Sequence, residues 1–203
     1  YLILLLIISL LLSALIIKNL NTKFLVNTIL ITSAFYLFFN TSREFFITKL
    51  KNLSQNLAHF GFSLLILSIL FNNYFSTEVI TNLKIGETYQ SNKIKINFES
   101  ITQNDEQNFK AITGKFNIEN SDGTVEILKP SIRIYNQPNI MTSEADIKTD
   151  FLKDSFMTMN LVQNQDYFNI RYQNKPFMIW IWFSVILISF GGFISLLKKK
   201  YEK

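Results

Sequence analysis

The stretch LAHFGFSLLILSILFNNYF, Leu57–Phe75, decides the fold. It contains no Asp, Glu, Lys or Arg, and an apolar helix needs roughly 20 residues to cross a bilayer, with a range of about 17–25. The run therefore reads as a membrane span. Inside it stands His59, the only histidine of the 203-residue chain. An ionisable side chain in hydrocarbon is costly, and its presence points to a function by default.

Three further apolar runs extend the pattern: Leu2–Ile17, Phe24–Phe39 and Phe177–Leu197. The first two are short, but Tyr1, Lys18, Lys23 and Asn40 can lengthen them by reaching to the interface. The sequence predicts four transmembrane helices, with an interfacial or buried helix as the alternative for one of the first two. The first run is not a signal peptide, because no basic residue precedes it and no small-x-small site follows. The chain begins at Tyr1 within an apolar run, and is expected to be the C-terminal piece of something longer.

Charge divides the chain. Ser76–Pro176 holds 13 acidic and 11 basic residues, whereas the flanks hold nine basic residues against Glu44 and Glu202. Basic residues in short flanks of apolar helices are topology signals, so no nucleic-acid surface is expected. Arg43, Lys49 and Lys51 in one short loop, and Lys198–Lys200 with Lys203 in the tail, predict the cytoplasmic side. The Lys18–Lys23 turn and the Ser76–Pro176 domain then fall on the outer side. Trp180 and Trp182, with Tyr74 and Phe75, mark the outer interface. Gly191-Gly192 predicts close helix packing. The absence of cysteine excludes disulfides and thiolate chemistry.

The expected organisation is three transmembrane helices in 1–75 (about 1–17, 24–39 and 57–75), a β-rich domain in 76–176, and a final helix with a basic tail in 177–203. In the domain, KIKINFES puts Ile94, Ile96 and Phe98 on one face and Lys93, Lys95 and Asn97 on the other. Phe116 and Ile118, a turn at Ser121–Gly123, then Val125 and Ile127 read as a hairpin. SIRIY and DYFNIRYQ alternate again, while MTSEADIKTDFLKDS suggests a short helical turn capped by Thr142 or Ser143. A small antiparallel barrel or sandwich follows.

Enzyme motifs are missing. No phosphate-binding glycine loop occurs, and His59 has only Ser63 and Ser68 near it on its own run, with no carboxylate for a triad. Glu144, Asp146, Asp150 and Asp154 read as a solvated surface rather than an acid/base pair. His59 itself has two readings. One is a neutral imidazole hydrogen-bonded between helices; the other is an axial haem ligand in a helical bundle, with the second ligand outside this chain.

Three blocks then carry a resemblance: LAHFG opening a helix that ends in NNY, LKPSIRIYNQPNIMTSEADI, and KPFMIWIWFSVILISFGGFISL. In this order they resemble the C-terminal portion of the CcmF family of cytochrome c-type biogenesis proteins, the large membrane subunits of a haem lyase. The resemblance implies that His59 is an axial ligand of a membrane-buried b-type haem that relays electrons, and that Gly61 packs beside the macrocycle. It implies a bacterial or mitochondrial inner-membrane location. The implied partners are an upstream portion or separate N-terminal subunit, CcmH-like and CcmE-like maturation proteins, apocytochrome c and membrane lipid. Ser131-Ile132 depart from the acid and base usual there, leaving Arg133; the tryptophan-rich haem-handling segment belongs upstream. The other reading of the chain is a cofactor-free membrane scaffold whose outer domain binds a partner.

Overall fold

The computed structural model describes residues 1–18, 24–48, 52–92, 94–120, 123–162 and 165–201. The basic residues expected at 19–23, 49–51 and 203, together with Lys93 and the Ser121–Asp122 part of the expected turn, lie outside them. The chain forms two compact units, Tyr1–Phe75 with Pro176–Lys203, and Ser76–Lys175.

The first unit is helical: α1 (Leu2–Lys18), α2 (Phe24–Thr48), α3 (Leu53–Phe75) and α4 (Met178–Tyr201). Segments 25–47, 53–75 and 178–198 are long and apolar enough to cross a membrane, while α1 has 17 residues. The helices stand in an antiparallel row, each packed mainly on its neighbour in sequence. Ile17, Ile31, Ala34, Phe35 and Leu67 form an apolar cluster linking α1, α2 and α3.

Hydroxyls and amides tie the row together. Ser13 and Thr32 meet at 2.7 Å, as do Thr41 and Ser63, and the Tyr74 hydroxyl donates to Asn27 at 2.8 Å. Such bonds between membrane helices contribute about 0.6 kcal/mol each on average. The α3–α4 contact is the closest. A Cβ on Gly61 would lie 3.0 Å from Leu187 and Ile188, and one on Gly191 would lie 2.8 Å from the Ala58 and Ser54 backbones. Ser54 also donates to the Gly191 carbonyl at 2.8 Å. Gly192 faces open space, so only the first glycine of the pair makes the expected close approach.

α4 runs on to Tyr201 rather than ending at Leu197, and two further helix boundaries that bear on the site differ from the sequence expectation. α2 continues nine residues past Phe39, because Thr41 and Ser42 spend their hydroxyls on the carbonyls of Leu37 and Phe38 one turn back. These polar residues lower the local hydropathy without breaking the helix. α3 begins at Leu53 rather than Leu57, which places His59 in its second turn, about 9 Å from that end.

The second unit is a β-sandwich. Its strands are β1 (Thr77–Leu83), β2 (Thr88–Gln90), β3 (Ile94–Asp105), β4 (Phe109–Asn120), β5 (Val125–Leu128), β6 (Ser131–Tyr135), β7 (Met141–Glu144), β8 (Asp146–Thr149), β9 (Lys153–Leu161) and β10 (Phe168–Pro176). One sheet has the order β1-β10-β9-β8; the other runs β2-β3-β4-β6-β7, with β5 also on β4. Ile94, Ile96 and Phe98 of β3 face inward as expected and meet Ile118 and Phe116 across the ladder, with the Phe98 and Phe116 rings stacked at 4.3 Å. Met157 and Met159 of β9 and Ile170 and Tyr172 of β10 close the core from the opposite sheet.

Two local expectations are corrected. Residues 141–155 form β7, β8 and the start of β9, not a helical turn. The Ser143 hydroxyl donates to the Met159 carbonyl at 2.6 Å, across to β9, and is spent there rather than on a cap. In β5 the faces are exchanged: Glu126 and Leu128 point inward while Val125 and Ile127 are exposed. The register opposes Ile118 to Glu126 and Phe116 to Leu128, so the inward face of β4 selects the two even-numbered partners.

Candidate functional site in the helical unit

His59 lines a groove of about 380 Å³ between α2 and α3. From α2 come Leu37, Asn40, Thr41 and Glu44, which share one face by their i, i+3, i+4, i+7 spacing; from α3 come Gln55, His59 and Phe62. The imidazole is exposed at the groove's open side, and among the described residues it makes no hydrogen bond. The interhelical hydrogen bond offered by the sequence as one reading of His59 is not seen among the described residues.

The register that builds the groove is fixed on both sides. Thr41 and Ser63 share the 2.7 Å bond already described, and the Phe60 ring lies 5.6 Å from Phe45 and 5.7 Å from Phe38. Ser63, one turn after His59, is buried against Thr41. Ile66 and Leu70 pack into the α1–α2–α3 cluster. The side chains around the imidazole are therefore mixed, with Leu37 and Phe62 apolar and Asn40, Glu44 and Gln55 polar.

Gly61 does not line this groove. Two residues turn a helix by roughly 200°, so Gly61 faces away from His59. Its neighbours are Ser184, Leu187 and Ile188 of α4, which account for the need for glycine at that position.

Sequence reasoning missed Glu44, which it placed in a cytoplasmic loop. The available signal was Phe45-Phe46-Ile47 after it, an apolar return that a continuing helix explains. The structure brings this carboxylate, absent from the histidine's own helix, into the histidine's groove.

The sandwich holds a larger cavity of about 1030 Å³, open between β1, β2 and the 150–153 turn. Lys153 at its wall is paired with Glu126 at 2.6 Å. The four carboxylates singled out by sequence do not converge. Glu144 lies 3.9 Å from Arg133, Asp146 accepts the Lys129 N–H at 2.6 Å, and Asp150 borders the cavity. Burial pushes the Asp154 carboxyl up, with a contribution from Asp150. Among the described residues no cluster of metal-ligating side chains occurs. Arg133 lies over the Phe109 ring at 5.0 Å, at the edge of the β4–β6 ladder.

Comparison with known proteins agrees with this architecture. The family model described as the CcmF C-terminal beta-sandwich matches residues 74–176, just over half of the chain. The "Cytochrome c-type biogenesis protein CcmF" of Haemophilus influenzae is 28% identical over 169 residues, covering 80% of this chain and 26% of that protein. The "Cytochrome c-type biogenesis protein ccl1" of Rhodobacter capsulatus is 30% identical over 125 residues, covering 62% of this chain and 19% of that one. The chain thus spans about a quarter or less of these curated relatives. A solved structure, "Cytochrome c Heme Lyase CcmF", superposes with a TM-score of 0.65 at 18% identity over 93% of this chain and 33% of that one, which shows a shared fold. On its apolar helices, its two-sheet domain and the family match over residues 74–176, the chain belongs to the CcmF family and carries that family's C-terminal β-sandwich.

Proposed function

We propose that this chain is the C-terminal part of a CcmF-like subunit of a haem lyase for cytochrome c maturation, and that His59 supplies one axial ligand to a membrane-embedded b-type haem. The observation that carries the reading is the position of the single histidine. It stands on a span-length helix of a family member, with its ring exposed and free of hydrogen bonds among the described residues. An imidazole in hydrocarbon with neither nitrogen satisfied is costly, whereas iron ligation satisfies the lone pair of one nitrogen.

The residues present fit one ligand. The groove is open to the outside of the α2–α3 pair, and His59 is exposed there. His59 would hold the iron, Leu37 and Phe62 would exclude water from the ring, and Gly61 would keep α3 against α4 so that the imidazole is presented from a rigid pair. When bound, the haem supplies one-electron transfer. The second axial ligand comes from the part of the family's length not spanned here, whether fused or a separate subunit. The sandwich then lies on the outer side of a bacterial or mitochondrial inner membrane, facing apocytochrome c and the CcmH-like and CcmE-like proteins.

The test is His59→Ala in the complete assembly, read by the b-type absorption spectrum and by holocytochrome c yield. Both should fall, with partial recovery of the spectrum in exogenous imidazole. Ile69→Ala, an exposed position on the same helix, should leave both in place. A full, unshifted b-type spectrum in His59→Ala would refute the ligand role.

A further inference from the structure

We propose that the turn between β8 and β9 rests on the lipid surface, with Phe151 and Leu152 inserted at the boundary between headgroups and acyl chains. This contact is independent of the ligand role proposed for His59.

The topology of one sheet fixes where this turn lies. In the order β1-β10-β9-β8, Thr77 at the start of β1 pairs with Asn174 near the end of β10. β9 and β10 are neighbours joined only by residues 162–167, a connection too short for a parallel crossover, so the start of β9 is level with the end of β10. Asp154 of β9 pairs in turn with Thr149 at the end of β8. The start of β1, the end of β10 and the β8–β9 turn therefore share one end of the sheet, and Thr77, Asn174, Phe151 and Leu152 line the same cavity there. Through that end the chain enters from α3 and leaves for α4. Thr77 follows the last residue of α3 by two positions, and Asn174 precedes the first of α4 by four. At up to about 3.6 Å per residue, they stand no more than roughly 7 and 14 Å from those helix ends. Both helices are long and apolar enough to cross a membrane, and α4 opens with Trp180 and Trp182, aromatic residues typical of the interface.

Phe151 and Leu152 are 66% and 58% exposed at the tip of the turn. The Asp150 N–H donates to the Lys153 carbonyl at 2.9 Å, so the pair is carried on a closed hairpin rather than a loose loop. Two large apolar side chains gain by leaving water, and an aromatic ring suits the headgroup level. The opposite end of the sheet differs in character: Lys84, Glu87, Gln165 and Asp166 are exposed there, with Ile85 beside them.

The experiment reconstitutes the full, cysteine-free chain in phosphatidylcholine vesicles, with an environment-sensitive fluorophore on Leu152→Cys or on Ile85→Cys. Lipid brominated near the start of its acyl chains should quench the label at 152 by about half, as expected for a side chain at the headgroup boundary. Aqueous iodide should quench it much less than the label at 85. Equal iodide quenching at the two positions, with no effect of brominated lipid at 152, overturns the proposal. Quenching of the label at 152 by neither agent also overturns it, since protein then covers the turn. A third probe, on Asp150→Cys, removes the fluorophore's own apolarity from the two positions. There, Phe151→Ser with Leu152→Ser should abolish most of the lipid quenching while β-sheet circular dichroism is unchanged. Lipid quenching that persists in that variant overturns the role of the two side chains. Loss of the quenching at 152 when the label is placed in the complete assembly assigns the turn to a partner chain and overturns the lipid contact.

Discussion

Lys153 Nζ lies 2.6 Å from Glu126 Oε1 inside the sandwich, where the glutamate side chain is 6% exposed and the lysine 25%. Asn120 also donates to Oε1, at 3.3 Å, while Oε2 is buried without a hydrogen bond. A buried pair adds little net stability, but removing one partner strands a charge. Lys153→Met should therefore destabilise the chain by about 3 kcal/mol, the low end for a broken buried pair because the lysine is partly solvated. Lys153→Met with Glu126→Leu should recover most of the loss. Denaturant unfolding in detergent, followed by β-sheet circular dichroism, measures both.

The same pair sets an acid dependence. Burial pushes the Glu126 carboxyl up, but Lys153, Ser155 and Asn120 outweigh it and hold the carboxyl below the usual glutamate value. A depressed folded pKa contributes stability that is full above the unfolded value and is lost as pH falls through the folded one. The sandwich should lose stability over that acidic window, and Glu126→Gln should flatten this part of the profile. Melting temperature against pH gives the comparison.

Register in β5 has a direct test. Leu128 is 1% exposed, and Leu128→Ala should cost about 2–5 kcal/mol. Ile127→Thr, one residue earlier on the exposed face, should stay within about 0.5 kcal/mol. Comparable losses at the two positions would mean that the strand is not set as described.

The glycines of α4 should separate in the same way. A Cβ at position 191 meets backbone atoms of Ser54 and Ala58 at 2.8 Å, which cannot swing aside, so Gly191→Ala should loosen the α3–α4 contact by about 1–3 kcal/mol. Gly192→Ala meets nothing and should be neutral or stabilising by up to about 1 kcal/mol, from helix propensity. Thermal unfolding of the detergent-solubilised chain compares them.

Sidedness follows from the basic flanks. In this cysteine-free chain, single cysteines at Glu106 and at Lys198 should be labelled by an impermeant reagent from opposite faces of the membrane. Labelling from one face would refute the orientation.

Much of this was legible in the residues. The apolar runs marked all four helices, and alternation in 94–98 and 116–118 marked the inward faces of two central strands. Much of what escaped notice involves side chains whose chemistry is spent on a neighbour, which look polar in sequence but behave otherwise in the fold. Thr41 and Ser42 bond to their own helix, so hydropathy ended α2 at Phe39 and left Glu44 in a supposed loop. In β9 the inward set is Ser155, Met157 and Met159, none of them β-branched or aromatic, so the strand gave no strong signal. In β5 the only inward carboxylate is one whose lysine comes from 27 residues downstream, a partner that no local pattern reveals.

The pairing of Thr77 with Asn174 has a consequence for how the helical row is completed. Roughly a hundred residues separate α3 from α4, and bringing the ends of so long a flexible tether together is entropically expensive. Once the two terminal strands of the sandwich zip together, the tether is effectively a few residues long. Since closure cost grows as (3/2)RT ln n, this twentyfold shortening is worth on the order of 2–3 kcal/mol to α3–α4 association. The last helix should accordingly dock late, after the sandwich has folded, and strand-pairing lesions far from any helix should appear first as failure of α4 to join the row.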